Sequence, residues 1–253
     1  MPRTQRHPRS PLPLVIVLVL AGAGAAAVLN RPEAWPEPLL AALPAPQPQL
    51  QPQDFPLDPG REGVLFSQLD AADRAWTPRA EPIPGGGTRY VYKRRAGDPP
   101  LNLAQIKALM LDPPSFAIER RAIEALLLEL RRVGARVVLG PPRKQGAAGE
   151  WEPRRNVLRI RPDVPAKGSR EFVRVLNHEA IHVAQSCRRG SLNARPMPLG
   201  LSRAVDARAL RNLAAPVYAD ASPQERVLEE EAYANQENLS LGVQLLQAHC
   251  RSR

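Results

Sequence analysis

Apolar residues are unevenly spread along this chain, and their spacing predicts its elements. The first block, Pro11 to Leu29, holds no charged residue at all and reads as one continuous apolar run. Beyond residue 61 the blocks become periodic. Leu101 to Leu111 predicts a short helix. Phe116, Ile123, Leu127 and Leu130 then form a helical stripe, with Ser115 as the N-cap candidate and Gly134 as the stop. Val137-Val138-Leu139 predicts a short buried strand that closes at Gly140-Pro141-Pro142, and Gly87 to Lys93 predicts another strand. In Asn156 to Arg161, Leu158 and Ile160 alternate with Val157, Arg159 and Arg161, the pattern of a strand with one buried and one open face. A helix follows from Gly168-Ser169 to Arg189, stopped by Gly190. Ser222-Pro223-Gln224-Glu225 joins a capping box to proline at the first helical position and predicts a helix through about Glu237. Leu239 to Cys250 closes the chain as another helix. The expected fold class is α+β, mainly helical with a small sheet, in one domain over 61–253, and no solenoid repeat is visible.

The first block changes the picture of where this domain works. Arg3, Arg6 and Arg9 precede it, and Ala21, Ala23, Ala25 and Ala27 supply small residues for cleavage, which together read as an export signal over 1–30. The run is also just long enough to cross a bilayer as a helix. Both a cleaved and a membrane-anchored form follow, and in each the positive flank stays cytoplasmic while the rest is exported. Residues 31–60 contain nine prolines among Gln and Ala, a composition that favours extended chain, so this stretch reads as a spacer. Its apolar members Trp35, Leu39, Leu40 and Phe55 offer the alternative of an arm packed on the domain.

The formal net charge of +10 comes almost wholly from arginine, the only lysines being Lys93, Lys107, Lys144 and Lys167. Arginines scattered over helical stretches without interleaved aromatics read as solvated faces, so no nucleic-acid partner is expected. About a third of the 29 prolines sit in the one short stretch 31–60, which marks a linker and excludes collagen-like and wholly disordered classes. Cys187 and Cys250 are the only cysteines, and an oxidising compartment would let them pair, with two buried thiols as the alternative.

Candidate chemistry sits in the helix from Ser169. His178-Glu179-Ala180-Ile181-His182 is an H-E-x-x-H arrangement. Imidazoles at i and i+4 lie about 40° apart on one helix face and can both ligate a zinc ion, while the intervening glutamate reaches the activated water as general base. Val175 and Gln185 flank that face. Phe172, Leu176, Ala180, Val183 and Cys187 fall on the opposite side, which turns Cys187 away from the metal. Two histidines do not complete a catalytic zinc site. Gln185 and Arg188 stand where the metzincin pattern needs Gly and His, which excludes that family.

The chain does carry Glu229-Glu230-Glu231-Ala232-Tyr233 on the capped helix, forty-seven residues beyond His182. With this downstream glutamate, residues 169–235 resemble the gluzincins, a group of zinc metallopeptidases with a zincin-like fold. In the members with an E-x-x-A-D signature the first glutamate binds zinc, and the matching position here is Glu229, followed by Ala232. Tyr233 replaces the family aspartate. Glu231 and Glu230 remain rivals, because successive helical residues point about 100° apart.

The resemblance implies a zinc peptidase with His178, His182 and Glu229 as metal ligands and Glu179 as base, and the N-terminal signal makes it exported or membrane-anchored. Its partners would be a peptide or protein substrate and, through an uncleaved N-terminal segment, the membrane. Tyr233, Tyr218 and His249 are the candidate donors to a transition-state oxyanion. The resemblance also implies that an edge strand ahead of the active helix holds the substrate, a place that Asn156 to Arg161 occupies in sequence order, with an ordinary hairpin strand as the alternative. Two other readings stand beside it: a non-catalytic zinc-stabilised binding domain with an arginine-rich surface, and an amidase acting on cell-wall peptide.

Overall fold

The computed structural model describes residues 50–94 and 98–251, which belong to one folded unit. The segment 1–30 and the residues Trp35, Leu39 and Leu40 lie outside the described residues. The fold is α+β. Six strands are described, β1 (Phe55–Pro56), β2 (Arg79–Pro82), β3 (Thr88–Val91), β4 (Arg136–Leu139), β5 (Gly149–Glu152) and β6 (Val157–Ile160). The helices are α1 (Glu62–Arg74), α2 (Leu103–Leu111), α3 (Ala117–Val133), α4 (Ser169–Cys187), α5 (Ala207–Leu213), α6 (Pro223–Asn235) and α7 (Leu241–His249). None of these is long and apolar enough to cross a membrane.

A mixed four-stranded sheet runs in the order β1-β4-β6-β5. Strands β4 and β6 are parallel, while β1 and β5 flank them antiparallel. Strand β1 comes from the end of the proline-rich stretch: Phe55 pairs with Leu139, and Leu57 is buried beside it. A separate hairpin, β2 with β3, stands mostly in solvent. On the sheet lies α4, which packs against α3, α6 and α7 as well as β5 and β6. Phe172, Leu176 and Ala180 of α4 meet Ile123 and Leu127 of α3 and Leu158 of β6 in one continuous core. Almost every residue of α4 is buried, more than an amphipathic surface helix would hide. The face that carries the histidines is covered by later chain.

Three devices fix α4. At its start, the Asp73 carboxylate of α1 accepts from Ser169 N at 2.8 Å and from Ser169 Oγ at 2.6 Å, capping the helix from ninety-six positions away. Gly168 makes this approach possible, because its φ is 98° and a Cβ there would stand 2.7 Å from Asp73 Oδ1. In the middle, Asn177 donates to the carbonyls of Gln236 and Asn238 and accepts from Gly242 N, stitching α4 to the α6–α7 connection. At its end, Cys187 forms a disulfide with Cys250 after α7, which resolves the choice between paired and free thiols.

Two sequence expectations are corrected. Helix α3 begins after Phe116 and not at a Ser115 cap; the Ser115 hydroxyl reaches only Ala117 N, at 3.4 Å. More consequential, β6 is neither an edge strand nor half-open: it lies between β4 and β5, and all four of its residues are buried. The alternation misled because Arg159 is a core residue with no exposure. Its guanidinium is paired with Asp54 ahead of β1 and Glu152 of β5. A buried ion is tolerated only with such partners. The edge position belongs to β5, whose ladder is made with β6 alone.

Removing one member of the buried network should expose its cost. Asp54→Ala is expected to lower the unfolding free energy by about 3–5 kcal/mol, read as a lower denaturant midpoint. A loss below about 1 kcal/mol would mean that solvent reaches Arg159.

Candidate metal centre

One turn of α4 separates His178 from His182, so both imidazoles leave the same face. Helix α6 crosses that face. Its start is set by Ser222, whose side chain accepts from Glu225 N while the Glu225 carboxylate accepts from Ser222 N. Seven residues past this cap, Glu229 projects onto the histidine pair. Its Oε2 lies 3.2 Å from His178 Nε2 and 3.5 Å from His182 Nε2, and the two Nε2 atoms are 3.2 Å apart. These three side chains form the group that can hold a metal ion among the described residues. Ligands held at about 2.0–2.1 Å in a tetrahedron stand about 3.3–3.4 Å from one another. The observed triangle has that size, and two nitrogens with one carboxylate oxygen make a donor set that suits a divalent ion of borderline softness.

Electrostatics point the same way. Burial works against the Glu229 anion, yet His182 and His178 more than offset it and hold this carboxyl well below the usual range. Burial also opposes a charged His182, but the Glu229 carboxylate, with Glu179 beyond it, pushes the imidazole up to about 9. Positive charge is therefore favoured where the three ligand atoms converge.

Around the triangle the acidic triplet divides its work. Glu230 turns outward, 3.6 Å from Arg203. Glu231 is 1% exposed and accepts from the backbone nitrogens of Leu199, Gly200 and Leu201 at 2.7–3.0 Å, which anchors a loop and leaves it no part in the triangle. It also accepts from Gln185 Nε2, which donates to Leu228 O as well. With its amide nitrogen so committed, Gln185 offers its oxygen to His182 Nδ1 at 2.7 Å. That places the ring proton on Nδ1 and leaves Nε2 to face the centre. His178 has no such support: its Nδ1 is buried without a hydrogen-bond partner, and Tyr233 packs edge-on against the ring, centroids 4.5 Å apart.

Two of the three expected oxyanion donors reach the centre. Tyr218, on the turn Pro216–Tyr218, donates to Glu229 Oε2 at 3.1 Å and lies 3.0 Å from the Tyr233 hydroxyl. Burial foremost, then Glu229, raises the pKa of Tyr218, so it stays a proton donor. His249 instead borders a separate cavity beside the disulfide. Glu179 is 5% exposed next to the histidines, and its carboxyl pKa is raised, chiefly by burial, against the pull of His178 and His182.

Glu179, His178 and Tyr218 border two adjoining cavities of about 240 and 280 Å³. The first reaches toward Arg174 and Arg208, the second toward Trp151 and Leu228, and Gly149 at the head of β5 lines both. A Cβ on Gly149 would stand 2.7 Å from Glu179 Cγ and Oε1. The edge strand thus makes room for the carboxyl it faces. Gln185 and Gly149 received no role from sequence reasoning, and Glu231 stood there only as a rival ligand, not as the loop anchor it is. Only the helical offset of Gln185 from His182, three residues on, could have signalled one of them.

A metal ion and a proton compete for the same Nε2 lone pair of His182. Between about pH 6.5 and 9 the metal affinity is expected to rise about tenfold per pH unit, measured by competition with a chromophoric chelator. A flat profile would contradict the assignment of His182. In the same assay Glu229→Ala should weaken binding by more than about 100-fold, whereas Glu230→Ala should bind as the parent does.

Comparison of the chain with protein-family models, curated proteins and solved structures finds no match, so the functional argument rests on this geometry.

Proposed function

We propose that this chain is an exported or membrane-anchored zinc-dependent peptidase that hydrolyses peptide bonds. The observation that carries the reading is the place of Glu179: a buried carboxyl beside a three-ligand metal triangle that nonetheless opens onto both cavities. A zinc ion held by His178, His182 and Glu229 would supply Lewis acidity, lowering the pKa of water and polarising a carbonyl.

The remaining work falls to the chain's own groups. The outer edge of β5 offers backbone N–H and C=O groups to an extended peptide, which fixes the scissile bond over Glu179. Glu179 accepts the proton of the attacking water on its carboxylate and delivers it to the leaving amine nitrogen. Its raised pKa suits both transfers. Tyr218 carries a hydroxyl proton at the triangle and donates it in a hydrogen bond to the oxygen on which charge develops. Gln185 keeps His182 in one tautomer throughout.

A second reading, a metal-stabilised binding domain without turnover, is favoured by His178 Nδ1, which lacks the acceptor that usually steadies a ligand imidazole. One pair of variants separates the two. Glu179→Gln should lower peptide cleavage by about 10²–10⁴-fold while retaining one metal per chain. Gly149→Ala should retain metal and lose about 10–100-fold in kcat, because the added methyl displaces the Glu179 carboxyl. Cleavage that survives Glu179→Gln, or no cleavage of any peptide by the parent enzyme, would refute the peptidase reading.

A further inference from the structure

The two cavities beside the metal triangle differ in charge. The second is lined by groups of both signs around Trp151 and Leu228. The first gathers Arg174, Arg208 and Glu171 at its far end. Arg174 lies four residues before His178, on the same face of α4 and about 6 Å back along its axis. It is 8% exposed, an unusual depth for a guanidinium. Arg208 enters from α5, half in solvent.

Their partners leave a surplus of positive charge. A single carboxylate, Glu171, bridges the pair: one oxygen accepts from Arg174 Nη2 and the other lies 3.3 Å from Arg208 Nη2. The other acidic neighbour of Arg174 is Glu237, 3.8 Å from Nη1 and 59% exposed, too distant for a hydrogen bond and screened by water. Each guanidinium has five N–H donors in a fork that matches a carboxylate, and Glu171 occupies one oxygen's worth of each. Burial foremost, with Arg208 adding to it, lowers the pKa of Arg174 despite the opposing pull of Glu171 and Glu237. Two cations sharing one anion accommodate one further negative charge. A dianion such as phosphate would meet Glu171 and Glu179 on the same wall.

We infer that Arg174 and Arg208 form a subsite for one carboxylate of the substrate, so that the enzyme selects peptides bearing an anionic group within about two residues of the scissile bond. The spacing follows from one helical turn between Arg174 and His178, against about 3.3–3.6 Å per residue of extended chain. This rests on the peptidase reading. A terminal α-carboxylate and an Asp or Glu side chain present the same chemistry to the site.

Paired peptides distinguish these sources and test the subsite: each sequence with a free or amidated C-terminus, and with Glu or Gln at positions flanking the cleaved bond. The zinc-loaded enzyme should cleave the carboxylate member of one pairing with kcat/KM at least about tenfold higher, mainly through KM. The pairing that shows the preference names the source. Arg208→Gln, at a half-exposed position that tolerates change, should bring the ratio toward one, and Arg174→Lys should reduce it. Equal kcat/KM within every pair, or a preference untouched by Arg208→Gln, would overturn the subsite. A binding readout separates this from the peptidase reading. Zinc-loaded Glu179→Gln protein, titrated calorimetrically with N-acetyl-trialanine and its amide and with N-acetyl-Glu-amide and its Gln counterpart, should favour a carboxylate form by about tenfold, and the added Arg208→Gln change should erase that difference. Carboxylate-selective binding without any cleavage by the parent would uphold the subsite and refute the peptidase. Cleavage without discrimination would do the reverse.

Discussion

Two imidazoles and a carboxylate held within 3.5 Å of one another inside a protein make an arrangement that needs a positive charge at its centre. Without one, desolvation of the Glu229 anion has no complete return, and one histidine must carry a proton to balance it. A divalent ion held there would supply that charge directly. The rest of the fold can be understood as holding three short side chains in this triangle against their tendency to separate into water.

The scaffold does this through long-range ties to one helix. Asp73 caps α4 from α1, Asn177 fastens its middle to the chain after α6, and the Cys187–Cys250 disulfide closes its end onto α7. Helix α6 is located in turn by its own capping box and by Glu231, which anchors the loop at Leu199–Leu201 and, through Gln185, holds the His182 ring. Glu231 and Glu229 lie two positions apart and so face different directions. One carboxylate can belong to the ligand triangle while the other supports it from behind. The charge asymmetry of the two flanking cavities is built on the same helix, since Arg174 and Glu171 lie one and two turns before His178.

The parts legible in the sequence were those set by local rules. The capping box at Ser222, the glycine stop at Gly134 and the one-turn face of the H-E-x-x-H segment each depend on residues within about one turn, and the structure places helices there. The triangle itself was half legible: helical spacing brings His178 to His182, but choosing Glu229 over Glu231 depended on a resemblance, because spacing cannot say which side of α6 faces α4. Strand β6 was misread for a physical reason. A buried arginine imitates an exposed position whenever its partners, here Asp54 and Glu152, are remote in the chain or on a neighbouring strand. Strand β5 was missed because four residues, Gly-Glu-Trp-Glu, are too few for a period and contain one large apolar side chain. Gly149 acts only through a tertiary neighbour, so no local pattern marks it, and Gln185 is marked only by its position three residues beyond His182 on the same helix.

The central claim concerns atoms around an ion, and X-ray absorption at the metal edge of the zinc-loaded protein tests it most directly. The account predicts a first shell of nitrogen and oxygen at about 2.0–2.1 Å, with the multiple-scattering signature of two imidazoles and no sulfur, and with one imidazole lost in His182→Ala. A shell made only of oxygen, a sulfur contribution near 2.3 Å, or a spectrum unchanged by His182→Ala would contradict it.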